Sequence, residues 1–361
     1  MLSIFSSASW LLVIPVKFFI ISPLYGGFSQ STVHNVIMTS YDPWVFATQL
    51  TGNGTGTPPP FNFTPSSAAP EQPTWLHGDY QNKKIQEWIA EKLQLPALVS
   101  EALMDENPKP RCLATDQGIL IVLRGVNLNP QSNPEDMVAL RIWIQEGLII
   151  TLRHRRVMAA QELYRKLDTG EGPKDIPHWL IQCIQRMLEL AHEVVETIDD
   201  KVDEMEEAML APKDHHSKED FADLRRSIVR LRRHLAPQRE LFSNLESELP
   251  AWLKSKLRIP LKEFSHKTSR LIEDLESARD RAAITQEAWS HQSTERMNRT
   301  MYLLSIITAI FLPLGLVTGL LGVNVGGIPG SENQHAFYML CGLLSVMGLG
   351  VWGLLRRSRW L

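Results

Sequence analysis

Between Thr300 and Ser331 the chain carries no Asp, Glu, Lys or Arg. Inside that window Met301 to Gly322 (MYLLSIITAIFLPLGLVTGLLG) is almost wholly apolar, and as a helix it would extend about 33 Å, enough to cross a bilayer core. A second uncharged run, Ala336 to Leu355 (AFYMLCGLLSVMGLGVWGLL), follows after a short loop. Two adjacent runs of this kind closing a chain are rare as buried helices of a water-soluble fold. The expectation is two membrane helices, 301–322 and 336–355, joined by a loop at 323–335 and followed by a basic tail at 356–361.

The averages hide this. The 361 residues are 44% hydrophobic and 21% charged, with a mean hydropathy of −0.12 and a formal net charge of −3, values of an ordinary soluble protein. The near-neutral total argues against a nucleic-acid binder. Three cysteines, Cys112, Cys183 and Cys341, are too few and too scattered for a disulfide framework or a thiolate zinc site.

Flanking charge sets the orientation. Arg296 and Arg299 precede the first run, and Arg356, Arg357 and Arg359 follow the second, whereas the loop between holds one acid, Glu332, and no Lys or Arg. The positive-inside rule places both flanks in the cytoplasm and the loop outside. Trp352 and Trp360 suit the interface. Residues 1–37 fit poorly with this topology. Trp10 to Tyr25 is apolar but broken by Pro15, Lys17 and Pro23; a signal peptide and a third span are the alternatives to the preferred reading, a poorly structured extension with Met38 as a natural start. Residues 38–73 read as a linker, because Thr51 to Pro73 is rich in Gly, Pro, Thr and Ser.

Residues 74–176 read as a small α+β domain. Lys83–Leu93 and Pro96–Leu103 have helical patterns, Gly118–Val126 is a buried strand, and Asp136–His154 is a hairpin in which Val138, Leu140, Ile142 and Ile144 alternate with other residues. Val157–Leu167 is again helical. From 177 to 300 the pattern becomes that of a helical stalk. Leu224, Ile228, Leu231, Leu235, Gln238, Phe242, Leu245 and Leu249 step by four and three, as do Leu257, Leu261, Phe264, Thr268, Leu271, Leu275, Ala278, Ala282, Thr285 and Trp289. Such seams are coiled-coil-like. With no Gly or Pro between Leu261 and Leu312, the second seam should run into the first membrane span as one helix of about 60 residues, which needs neighbours along its length.

Glu193–Glu207 holds eight acids against Lys201, and Arg225–Arg239 holds six arginines and no acid. A helical hairpin turning near residue 214 would set these runs side by side as ion pairs. The sharper alternative is an acidic surface, with Asp199, Asp200 and Asp203, that concentrates cations. His215-His216 reads as a solvated loop tip, and His178 and Cys183 are badly spaced for one helical face. Phosphate-binding loops, dinucleotide fingerprints and nucleophile elbows are missing from the sequence, so no enzyme and no resident cofactor is expected.

Gly319 to Gly330 contains five glycines and a single amide side chain, Asn324. It could be a tight hairpin, or, in a symmetric oligomer, a ring of neutral oxygens that holds a hydrated divalent cation through its water shell. Ile310-Phe311-Leu312-Pro313, Thr318-Gly319 and Gly322-Val323-Asn324 resemble the end of the first membrane helix in the CorA divalent-cation transporter superfamily, whose signature there is Gly-Met-Asn. Here Val323 replaces Met. The longer string Gly322 to Gly330, Leu235-Ala236-Pro237-Gln238-Arg239 and the ending Arg356 to Leu361 are similar to the zinc-transporting ZntB branch. The resemblance covers about residues 74–361 and omits 1–37.

This resemblance implies a CorA-like homopentameric funnel in the bacterial inner membrane, with both termini cytoplasmic. Gly322, Val323 and Asn324 would form the ion-selectivity motif, Asn324 meeting the metal through its hydration shell. Met301, Leu304, Thr308, Leu312, Gly315 and Gly319 would line the pore. The cargo implied is zinc, with cadmium or nickel as further substrates and proton-coupled uptake. A magnesium or broad divalent-cation channel of the same fold is the alternative, and a membrane-anchored coiled-coil scaffold is the rival of a different class. Neither span contains Asp, Glu, Lys, Arg or His. Proton coupling must then use groups at the mouths, such as Glu332, or in the funnel.

Overall fold

The computed structural model describes residues 43–60, 63–68, 71–210, 218–322 and 333–357. A seven-stranded sheet begins the chain's described part. Its strands are β1 (Phe46–Leu50), β2 (Gly56–Thr57), β3 (Thr74–Asp79), β4 (Arg111–Ala114), β5 (Ile119–Gly125), β6 (Val138–Gln145) and β7 (Leu148–Arg153), in the spatial order β2-β1-β3-β7-β6-β5-β4. All pairs are antiparallel except β3 with β7. Apolar continuity explains the centre of the sheet: every residue of β5 is buried, and so is most of β6 and β7. The hairpin joining β6 to β7 turns at Gly147, whose φ of 77° lies in the left-handed region that glycine enters without strain.

β1 and β2 lie inside the stretch expected to be a linker, so the sheet begins about 28 residues earlier than the 74–176 boundary. Phe46 fixes β1, stacking on His77 at 4.6 Å and on Tyr164 at 4.0 Å between ring centroids. His77 is fully buried among β1, β3 and β7. Its Nδ1–H donates to Thr151 Oγ1 (2.7 Å), which also accepts from Trp75 Nε1–H (2.8 Å). The Arg153 Nε–H donates to His77 Nε2 (3.1 Å). An Nε2 that accepts requires the neutral imidazole. Burial, reinforced by the Arg153 charge, lowers the His77 pKa to about 3.

Helices α1 (Lys83–Leu93), α2 (Ala97–Met104) and α3 (Met158–Thr169) accompany the sheet, close to the predicted ranges. Asn82 caps α1 by accepting the Lys84 amide, and Gly170 closes α3 at φ 77°. Three long helices follow: α4 (Ile176–Leu210), α5 (Lys218–Glu248) and α6 (Ala251–Leu321). α6 packs along both α4 and α5. Every residue of the two predicted seams is buried except Trp289, which is half-buried. A fully buried leucine in such a seam contributes roughly 1.5–3 kcal/mol.

The polar members of the seams are satisfied locally. Thr268 and Thr285 donate their hydroxyls to the carbonyls of Phe264 and Arg281 one turn back. Gln238 accepts the backbone N–H of Arg124 at 2.8 Å. β4 starts at Arg111 opposite Val122, so that amide extends past the end of its neighbouring strand and α5 supplies the partner. α6 is longer than expected, 71 residues, because it starts at Ala251 and continues through Pro260 and Pro313. The last helix, α7 (Ala336–Arg357), packs against α6.

Candidate ion pathway

The upper part of α6 and the whole of α7 are long and apolar enough to cross a membrane. Large side chains that would be covered in a soluble fold stand exposed there, among them Leu304, Phe311, Leu312, Leu316 and Leu320 on α6 and Phe337, Met339 and Val346 on α7. Exposed apolar faces of this extent need lipid or another subunit as their solvent. At the end of α7 the Arg356 guanidinium lies 5.4 Å from the centroid of the Trp352 ring, a cation–aromatic pair suited to a headgroup region.

The two helices meet along defined stripes. On α6 the half-buried positions are Tyr302, Ile306, Ile310, Pro313, Leu314 and Val317; on α7 they are Ala336, Leu340, Leu344, Met347, Gly348 and Val351. Both sets step by three and four, the spacing of one helical face. The six residues expected to line a pore are placed together on a single face of α6: Met301, Leu304, Thr308, Leu312, Gly315 and Gly319 are all exposed. At 100° per residue this face lies about 170° from the one that α7 covers. α7 therefore backs α6 from behind and, among the described residues, leaves the candidate pore face uncovered. Thr308 spends its hydroxyl proton on the Leu304 carbonyl at 2.8 Å, which leaves its oxygen lone pairs on that face. A Cβ built at Gly315 or Gly319 meets nothing within 4 Å, so these glycines narrow the helix without being required by its own packing.

Gly322 ends α6 and donates its amide to the Thr318 carbonyl at 2.9 Å. Val323, Asn324 and Glu332 lie outside the described residues, as do the segment 1–37 and His215-His216.

The acidic trio of the stalk divides. Asp199 and Asp203 both engage Arg281 of α6, the first at 2.8 Å, and Glu206 completes the cluster at 2.7 Å. The hydrogen bonds to Glu206 and Asp203 raise the Arg281 pKa. Asp200 is exposed and forms no ion pair among the described residues. Among the described residues the expected pairing of the acidic run with the arginines of α5 does not occur: Arg230 instead reaches Asp136 at 2.9 Å and Arg232 reaches Glu276 at 2.7 Å. The reason is that α6 packs along both helices, giving the acidic run Arg281 and giving Arg232 Glu276, while Arg230 turns to Asp136 before β6. Asp199 and Asp203 thus share a single guanidinium with Glu206, and the three carboxylates keep an excess of negative charge. Arg281 was not visible as their partner in the sequence; its place one turn before the seam residue Thr285 is the signal that marks it.

Cys183 is buried under the sheet, which pushes its thiol up to about 12. His178 is held by the Lys174 amide and by Gln182 at 3.2 and 3.1 Å. Among the described residues no three His, Cys, Asp or Glu side chains converge closely enough to hold a metal ion. The arrangement suits passage of an ion along a neutral wall better than its capture by soft ligands.

Comparison with known proteins matches residues 70–357 to the family described as CorA-like Mg2+ transporter protein. A zinc transport protein ZntB of Yersinia enterocolitica is 34% identical over 318 residues, covering 88% of this chain and 96% of the relative. The divalent cation transporter CmaX of Pseudomonas aeruginosa is 38% identical over 297 residues, covering 81% of this chain and 89% of the relative. A solved structure of full-length CmaX superposes with a TM-score of 0.76 at 36% sequence identity, over 88% of this chain and 98% of that one.

Proposed function

The chain belongs to the CorA-like Mg2+ transporter family, and from that membership we propose that it carries divalent cations, zinc among them, across the bacterial inner membrane. Five copies assemble around an axis, and each contributes the face Met301, Leu304, Thr308, Leu312, Gly315 and Gly319 of α6 to one central pore. The observation that supports this most directly is the placement of α7 on the opposite side of α6, which keeps the candidate face free for the axis. Both termini are cytoplasmic, in agreement with the arginines that flank the two spans.

Asn324, in the Gly322-Val323-Asn324 motif, holds the hydrated ion at the outer mouth. Its carbonyl oxygen hydrogen-bonds water of the ion's shell, which is strong enough to select charge and weak enough to release it. A ring of Glu332 near the same mouth raises the local cation concentration. Zinc as cargo rests on the ZntB relatives; cadmium and nickel are compatible further substrates. Proton-coupled uptake works through Glu332 or the funnel, because the spans hold no Asp, Glu, Lys, Arg or His. A broad divalent-cation channel is favoured as second reading by the higher identity to CmaX and by the magnesium family profile.

Reconstitution decides between them. Purified chain in liposomes is expected to pass zinc, and Asn324→Ala is expected to reduce that flux at least tenfold while the assembly keeps its size. Excess magnesium that competes fully with zinc selects the broad channel. Normal zinc flux in Asn324→Ala removes the assigned role of that residue, and no flux of any divalent ion sinks the proposal.

A further inference from the structure

Two guanidinium groups are buried in the soluble body, far along the chain from the ion pathway. Arg124 of β5 is 8% exposed and Arg141 of β6 is 1% exposed. Neither forms an ion pair with a carboxylate among the described residues. Arg124 donates Nε–H and Nη2–H to the Pro108 carbonyl (3.0 and 2.9 Å), Nη1–H to the Met137 carbonyl (2.8 Å) and Nη2–H to Asn107 Oδ1 (2.5 Å). Arg141 donates from Nη2 to the Asp105 carbonyl and lies over the Tyr80 ring, 4.0 Å from its centroid. The Arg141 Nε–H is buried with no hydrogen-bond partner. Burial lowers the pKa of both groups. Asp105 acts on both arginines from nearby, and Asp79 on Arg141, raising their pKa values against this shift without forming an ion pair with either; a buried cation with no directly paired carboxylate is a costly arrangement.

Both arginines line one cavity of about 280 Å³, together with Glu106, Asn107, Asp136, His154 and Arg155. Arg155 and His154 stand exposed at its rim. Asp136 is already engaged by Arg230 of α5 at 2.9 Å. Three guanidiniums therefore line the cavity with one uncommitted carboxylate, Glu106, while Asp105, not itself in the lining, is paired with Arg111 at 3.7 Å. The walls come from four separate segments: the connection after α2, the end of β5, the start of β6 and the residues after β7.

We propose that this cavity binds a small oxyanion of the phosphate class, which pairs directly with the guanidiniums and accepts the unpartnered Arg141 Nε–H. Forked arginine donors match such an anion. The volume is below the roughly 300–1,000 Å³ of pockets that enclose drug-sized ligands. It accommodates inorganic phosphate, or one phosphate group of a larger molecule whose remainder stays in solvent. The site is independent of the ion pathway, so its test and that of transport succeed or fail separately.

Calorimetric titration of the full chain in detergent, with inorganic phosphate, sulfate and adenosine monophosphate as separate arms in a chloride buffer, tests it. Saturable binding of phosphate at one per chain is expected. Arg155→Gln, an exposed change that leaves the fold intact by melting temperature, should weaken it about tenfold, and Arg141→Gln should abolish it. Monophosphate nucleotide binding tighter than phosphate identifies an organic phosphate as the source; equal or weaker binding identifies the inorganic ion. No saturable binding in any arm overturns the proposal, and so does unchanged affinity in Arg155→Gln.

Discussion

His77 carries the largest pH dependence that a single described side chain brings to this fold. Its ring is neutral when folded, with a pKa of about 3, and titrates near 6.5 when unfolded. Between those values the unfolded chain binds the extra proton, so stability is complete above about pH 6.5 and is lost as pH falls toward 3. The loss attached to this one group amounts to roughly 5 kcal/mol at the acid limit. Urea titrations of the full chain at several pH values should show it. In His77→Gln the chain should be weaker at pH 7.5 by about 1–3 kcal/mol, because buried donors lose their acceptor, yet its stability should fall less between pH 6.5 and 4. An unchanged slope would mean that other groups carry the acid sensitivity. His234, whose pKa is lowered to about 4 by burial and by Arg124 and Arg233, acts in the same direction but is half-buried and more easily hydrated.

Among the elements, the stalk depends on how α4, α5 and α6 share their charges. Arg281 serves three carboxylates of α4 and is itself about one-third exposed. Arg281→Gln should therefore cost about 1 kcal/mol, a loss that shrinks in high salt. Asp200→Asn should stay within about 0.5 kcal/mol of the parent. Denaturation midpoints at low and high salt measure both. The seams that build this stalk were plain in the sequence because each buried position recurs at three or four residues. The hairpin Val138–Arg153 was equally plain, since its alternation is local. The strand Phe46–Leu50 was not, because its sequence FATQL is half polar and its identity as a strand comes from pairing with residues about 30 positions later. The acidic run found an unexpected partner for a related reason. Sequence complementarity ranks possible ion pairs, but only the order of helices in space decides which become neighbours.

For the molecule as a whole, the face of α6 that points away from α7 is the testable prediction. In a chain carrying Cys341→Ser, Thr308→Cys or Leu312→Cys should react with a water-soluble thiol reagent and lose flux. Ile306→Cys and Ile310→Cys, under α7, should be slow to react and keep it. Equal reactivity on both faces would count against a water-filled axis on the predicted side. The sequence placed this stripe only through resemblance, since the periodicity of an apolar helix cannot distinguish one face from another. The covering of the opposite face by α7 is what the structure adds.

The unbroken run of α6 from Ala251 to Leu321 has a mechanical meaning. A helix of this length is a rod about 105 Å long, rooted among α4 and α5 and ending at the mouth motif. It can neither stretch nor shorten appreciably without breaking hydrogen bonds in series, but it can swing. A tilt of only about 3° at its root moves its far end by about 5 Å, comparable to the radius of a small aperture. In the proposed pore, the body packed on α4 and α5 would therefore act as the short arm of a lever, and modest angular adjustments there would suffice to widen or close the passage about a hundred ångströms away.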